Sequence, residues 1–113
     1  MSAPESSPYP YTGPDALRGP IEGALRQVVD PEVAMTIVDV GLVYGVTVTD
    51  ERLDVLLTMT SAACPLADVI VGDVEAGLER VVPPRTTVHV ELVWKPAWTT
   101  DRMSARAKAF MGW

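Results

Sequence analysis

The sequence predicts an α+β fold: a two-layer sandwich in which helices pack on a small three-stranded sheet, in the order α-β-β-α-β-α. Three observations carry that expectation. Residues 44–49 and 53–60 alternate apolar and polar side chains on either side of Asp50-Glu51-Arg52, the pattern of an antiparallel hairpin. Apolar residues then recur at helical spacing from about Pro65 to Val82. Such a helix is about 26 Å long, the span of the strand before it, so the two match in length for a helix lying on a sheet. Finally, 48% hydrophobic and 21% charged residues over 113 positions make one globular domain of ordinary size.

Residues 1–14 are rich in Pro and Ser and lack periodicity. They read as a flexible arm, ordered only where Tyr9 and Tyr11 find an apolar partner, ahead of a single domain over residues 15–113. Gly19-Pro20 resembles a helix start, followed by Ile21, Ala24, Leu25 and Val28 at helical spacing. Asp30-Pro31 stops that helix, because the residue before a proline is pushed out of the α region. Residues 32–42 are an apolar connection carrying Glu32 and Asp39.

In the returning strand of the hairpin, Leu53, Val55, Leu57 and Met59 share one face, with Leu56, Thr58 and Thr60 on the other. The long helix buries Leu66, Val69, Ile70, Val74, Leu78 and Val81, leaving Asp68, Asp73, Glu75 and Glu79 largely outside that stripe. Gly72 and Gly77 each cost about 1 kcal/mol against Ala, which suggests close backbone packing there. Pro83-Pro84 ends the helix. Residues 86–94 form the third strand, with Val88, Val90, Leu92 and Trp94 on one face and His89 on the other. Lys95-Pro96-Ala97-Trp98 leaves the sheet, and Ser104 caps a short helix through Phe110.

No apolar run approaches the roughly 20 residues that span a bilayer, and the N-terminus lacks a basic, apolar signal. A single cysteine excludes an internal disulfide framework, so a cytoplasmic setting is expected. A formal charge of −6, without a basic stripe, argues against nucleic acid.

That cysteine, Cys64, lies in Thr58-Met-Thr-Ser-Ala-Ala-Cys-Pro-Leu66, where strand pattern gives way to helix pattern. A helix N-terminus offers free backbone N–H groups and the positive end of the macrodipole, both of which favour a thiolate. Pro65 fits the first helical turn, where its missing N–H has no intrahelical partner to lose. The alternative is a small buried hydrophobe.

Asp30-Pro-Glu32, Ile37-Val-Asp-Val-Gly-Leu-Val-Tyr44, Thr58-Met-Thr-x-x-x-Cys-Pro-Leu66, and Glu91-Leu-Val-Trp-x-Pro-x-Trp98 with Asp101-Arg-Met-Ser104 resemble the SufT/PaaD-like iron–sulfur cluster assembly domain family. The resemblance covers about residues 20–112. It implies a non-enzymatic accessory factor in metal–sulfur cluster maturation, acting on apo iron–sulfur client proteins and the assembly machinery. It also implies a reactive cysteine at Cys64, with Asp39, Thr58 and Thr60 close by. Residue 63 is Ala where many members have Gly. The sequence ends at Trp113 without the cysteine-bearing extension of the branch that serves phenylacetate oxygenation, so a component of a phenylacetate-type ring oxygenase system is the alternative role.

One thiolate does not hold a cluster that normally takes four protein ligands, so a transient iron–sulfur cluster or iron would be shared with a second copy, a partner or a small thiol. Asp39 is either a hard oxygen ligand or a capping carboxylate, and Thr58 and Thr60 are candidate hydrogen-bond donors to it. Glu32 supports the turn after Pro31. Trp98 packs at an edge or anchors a partner. A cysteine-dependent enzyme would need a base beside Cys64, and His89 faces away from the helix start. The single cysteine and small sheet favour a homodimer or weak self-association.

Overall fold

The computed structural model describes residues 9–30, 34–60 and 67–112. At its centre is the expected hairpin, formed by β4 (Val43–Thr49) and β5 (Arg52–Leu57), with Thr49 opposite Arg52 and Val43 opposite Leu57. Leu53, Val55, Leu57 and Met59 are buried and Leu56 is exposed, as the alternation requires. Thr58, which the alternation puts on the outer row, is instead buried. A register shift between Val43 and Gly45 breaks the alternation there, and Thr58 N–H continues the shifted pairing by donating to the Leu42 carbonyl at 2.9 Å.

From β5 the chain continues into α3 (Ala67–Glu79) and returns as β6 (Thr87–Leu92), which pairs parallel to β5. Parallel pairing needs such a crossover, and it places the start of α3 near the end of β5. Ile70, Val74 and Leu78 form the buried row of α3. Val69 departs from the predicted stripe and is 53% exposed, because it shares its helix row with Asp73 rather than with Ile70. Gly77 approaches the helix over Asp15–Leu25, where an added Cβ would lie 3.8 Å from the Ala24 carbonyl oxygen, whereas Gly72 faces open space.

The main sheet has four strands rather than three, in the order β1-β4-β5-β6. The extra strand, β1 (Tyr11–Thr12), comes from the segment read as an arm and pairs parallel with β4. Tyr9 is buried beside it, and the Pro10 carbonyl accepts from Val46 N–H at 3.0 Å. A two-residue strand has no period to read; its existing neighbour orders it.

Helix α1 (Asp15–Leu25) starts before Gly19-Pro20, with extended Pro14 as N-cap and Asp15 favourably placed in the first turn. Pro20 sits on the exposed side and costs the helix one internal hydrogen bond, while Ile21 and Leu25 are fully buried. The helix ends at Leu25, short of Asp30-Pro31, because β2 (Val29–Asp30) pairs antiparallel with β3 (Met35–Thr36). The apolar connection holds that strand and α2 (Ile37–Val40), all four of whose residues are buried. After β6, a 3₁₀ turn (Thr100–Arg102) leads to α4 (Ala105–Met111), capped by Ser104 as expected. Trp94 is 44% exposed and so lies outside the row it was expected to share with Val88, Val90 and Leu92. On the solvent side of the sheet, Thr47, His89 and Glu91 are exposed. No helix among the described residues is long and apolar enough to cross a membrane.

Candidate functional site

Where β4 begins and β5 and β6 end, segments distant in sequence meet. Beyond the Thr58–Leu42 bond, Val93 N–H donates to the Leu57 carbonyl at 2.7 Å and the Trp98 indole N–H to the Val40 carbonyl at 2.8 Å. Tyr44 Oη donates to the Pro96 carbonyl at 2.8 Å, and the Arg102 guanidinium lies 4.2 Å from the Tyr44 ring centroid. Gly41 makes this approach feasible. It ends α2 in the left-handed region at φ +85°, and a Cβ there would lie 2.2 Å from the Arg102 carbonyl oxygen.

Asp39 is the hub of this corner. Thr36, the N-cap of α2, accepts from Asp39 N–H at 3.1 Å, and its hydroxyl donates to Oδ2 at 3.3 Å. Ser104, the N-cap of α4, accepts from Ala107 N–H at 3.0 Å while its own hydroxyl donates to Oδ1 at 3.1 Å. Ser104 N–H also donates to the Asp39 carbonyl at 2.8 Å. Two cations complete the set: Arg106 Nη2 at 3.1 Å from Oδ2 and Arg26 Nη1 at 3.5 Å from Oδ1. Burial pushes the Asp39 carboxyl up, but hydrogen bonds from Arg106 and Ser104 and the charges of Arg106 and Arg26 outweigh it, holding it below its ordinary value. One carboxylate thus ties α1, α2 and α4 together.

Beside this hub a groove of about 400 Å³ is lined by Met35, Thr36, Asp39, Arg106 and the 72% exposed Phe110. Ala34, also on its wall, has φ 58°, a left-handed conformation costly for a residue with a Cβ.

The hydrogen bonds to Asp39 come from Thr36, Ser104 and the two arginines rather than from Thr58 and Thr60, which belong to the same end of the sheet. Thr60 is half-buried at the last described position before Cys64. Trp98 is half-buried, its indole N–H spent on Val40. Cys64, Pro65 and Glu32 lie outside the described residues. Among the described residues no three His, Cys, Asp or Glu side chains gather as a metal-binding group. Thr36-x-x-Asp39 has the spacing of a helix-capping pair and was a readable signal for half of the hub. Arg26 and Arg106 carried no such local mark.

Residues 19–92 match the family described as iron–sulfur cluster assembly protein. An Fe–S protein maturation auxiliary factor of Bacillus subtilis is 44% identical over 87% of this chain and 96% of that protein. A second auxiliary factor of this description, SufT of Staphylococcus aureus, is 42% identical over 75% of this chain and 97% of its own length. A component of a putative 1,2-phenylacetyl-CoA epoxidase of Escherichia coli is 35% identical over 74% of this chain, but only 50% of that protein is covered. The crystal structure of a domain of unknown function from Bacillus anthracis superposes with a TM-score of 0.80 at 39% identity, covering 87% of this chain and 93% of that one. With most of its length matched by the family and by relatives well above 30% identity, this chain is a member of the iron–sulfur cluster assembly protein family.

Proposed function

We propose that this protein is an auxiliary factor in the maturation of iron–sulfur proteins, carrying iron or a cluster as cargo and handing it to apo client proteins. The observation that carries the reading is the family match over residues 19–92, which spans the chain's one cysteine. Cys64 is the ligand in this reading. Its thiolate binds iron, a second copy, a client or a small thiol supplies the remaining ligands, and transfer is ligand exchange. The Cys64–iron bond breaks as a client thiolate bonds to the same iron, with no change of oxidation state. A site with one protein ligand releases its cargo readily, which suits hand-over better than storage. Asp39 acts in this reading as a structural carboxylate and not as a ligand, since its oxygens already accept from two hydroxyls and two guanidinium groups. Binding and transfer in the cytoplasm, with the assembly machinery as donor, complete the proposal.

General maturation takes precedence over service to a phenylacetate-type oxygenase because the relatives named as auxiliary factors align over nearly their whole lengths. The test is anaerobic reconstitution of the full chain with ferrous iron and sulfide, followed by transfer to an apo-ferredoxin. Wild type takes up iron with visible absorbance and activates the ferredoxin. Cys64→Ser keeps its fold and loses both. Equal uptake and transfer by Cys64→Ser would overturn the assignment.

A further inference from the structure

The two edges of the main sheet are finished differently. On the β4 side, β1 covers the strand and is only two residues long. On the other side, β6 runs for six residues, Thr87 to Leu92, with no strand beyond it among the described residues. Thr87 N–H donates to the Glu51 carbonyl and Val93 N–H to the Leu57 carbonyl, so the odd-numbered residues of β6 face β5. By the alternation of a parallel ladder, the N–H and C=O groups of Val88, Val90 and Leu92 point outward.

We propose that this edge is a self-association surface, on which a second copy of the chain pairs antiparallel to β6 about a two-fold axis at Val90. The sequence Val88-His89-Val90-Glu91-Leu92 is a chemical palindrome around that residue. With Val90 opposite Val90 of the second copy, Val88 falls opposite Leu92 and His89 opposite Glu91, on both sides of the axis. All three outward-facing residues then occupy hydrogen-bonded positions and exchange six backbone bonds across the axis. The His89–Glu91 pairs occupy the non-hydrogen-bonded positions, where opposing side chains come closest. Moving the axis to His89 or Glu91 sets that residue against itself and leaves fewer outward groups paired. The half-buried Val88, Val90 and Leu92 gain apolar neighbours on the helix-covered face, and both copies keep their helices on the same side. Pro84 and Pro96 flank the strand and limit the pairing to this short stretch, which fits a weak dimer.

The test is sedimentation of the full chain from micromolar to millimolar concentration, with amide exchange measured at both ends of that range. Wild type self-associates, and the amides of Val88, Val90 and Leu92 gain protection with concentration while those of His89 and Glu91 are protected throughout. His89→Glu sets like charges opposite each other twice and weakens the dimer roughly tenfold. Adding Glu91→Lys to it restores the association, because the introduced carboxylate then faces the introduced ammonium group across the axis. A monomer at millimolar concentration, a dimer that leaves those three amides unchanged, or a double variant no tighter than His89→Glu overturns the proposal. So does protection of this edge by a client protein alone.

Discussion

The Asp39 corner and the β6 edge are both rich in polar groups, yet they treat them in opposite ways. At the corner, each oxygen of the Asp39 side chain meets one hydroxyl and one guanidinium, and its backbone N–H and carbonyl are also bonded. At the edge, the backbone groups of Val88, Val90 and Leu92 alternate away from the chain's own sheet. The corner closes the molecule on itself and belongs to stability. In the proposed dimer the edge's bonds are made by a second copy, which would assign the edge to association. Changes at the corner should therefore move unfolding, and changes at the exposed His89 and Glu91 of β6 should move assembly while leaving unfolding nearly unaltered.

Gly41→Ala attacks the corner hardest. It forces a Cβ into the left-handed region and into the Arg102 backbone, so stability should fall by at least about 3 kcal/mol in chemical denaturation. Asp39→Ala should cost about 3 kcal/mol, since it strips partners from two cap hydroxyls and two arginines at a site only 8% exposed. The highly exposed Arg106 keeps that figure from being larger. Asp39→Asn should cost less at neutral pH and reveals the sign of the electrostatics. A carboxyl depressed in the folded state contributes stability above its unfolded value of about 3.9, and that contribution is lost as pH falls through the lower folded value. The gap between wild type and Asp39→Asn should accordingly narrow below about pH 4; a gap independent of pH would remove the charge from the account.

Ser104→Ala removes both a cap and a donor to Asp39 and should cost about 2 kcal/mol by the same denaturation measurement. Tyr9→Phe should have the smallest effect. The Tyr9 hydroxyl is buried and has no hydrogen-bond partner among the described residues, and burial, aided by the charge of Glu22, pushes its pKa up to about 12. Removing it should leave thermal stability unchanged or slightly higher.

The local pattern of residues was enough to locate the hairpin, its buried row of Leu53, Val55, Leu57 and Met59, and the Ser104 cap, because each is written within a few neighbouring residues. Helix α1 misled because proline favours a first turn, yet Pro20 is tolerated on an exposed side. Val69 misled because an apolar residue one step from a buried row still points elsewhere. The corner was legible only in part. Thr36 and Asp39 are three apart, but Ser104 and Arg106 lie 65 and 67 residues from Asp39, so only the folded chain shows that they meet. Strand β1 and the outer edge of β6 likewise exist through pairing order, which no local period encodes.

We propose a division of labour in which Asp39 holds the architecture and Cys64 holds the cargo. The most direct test reconstitutes Asp39→Asn and Cys64→Ser side by side with ferrous iron and sulfide under anaerobic conditions, at neutral pH and a temperature where circular dichroism shows both folded. Iron bound per chain is the readout. Asp39→Asn should bind iron like wild type despite a lower denaturation midpoint, and Cys64→Ser should bind none despite a near-native one. A folded Asp39→Asn that has lost its iron, or a Cys64→Ser that keeps it, would contradict the claim.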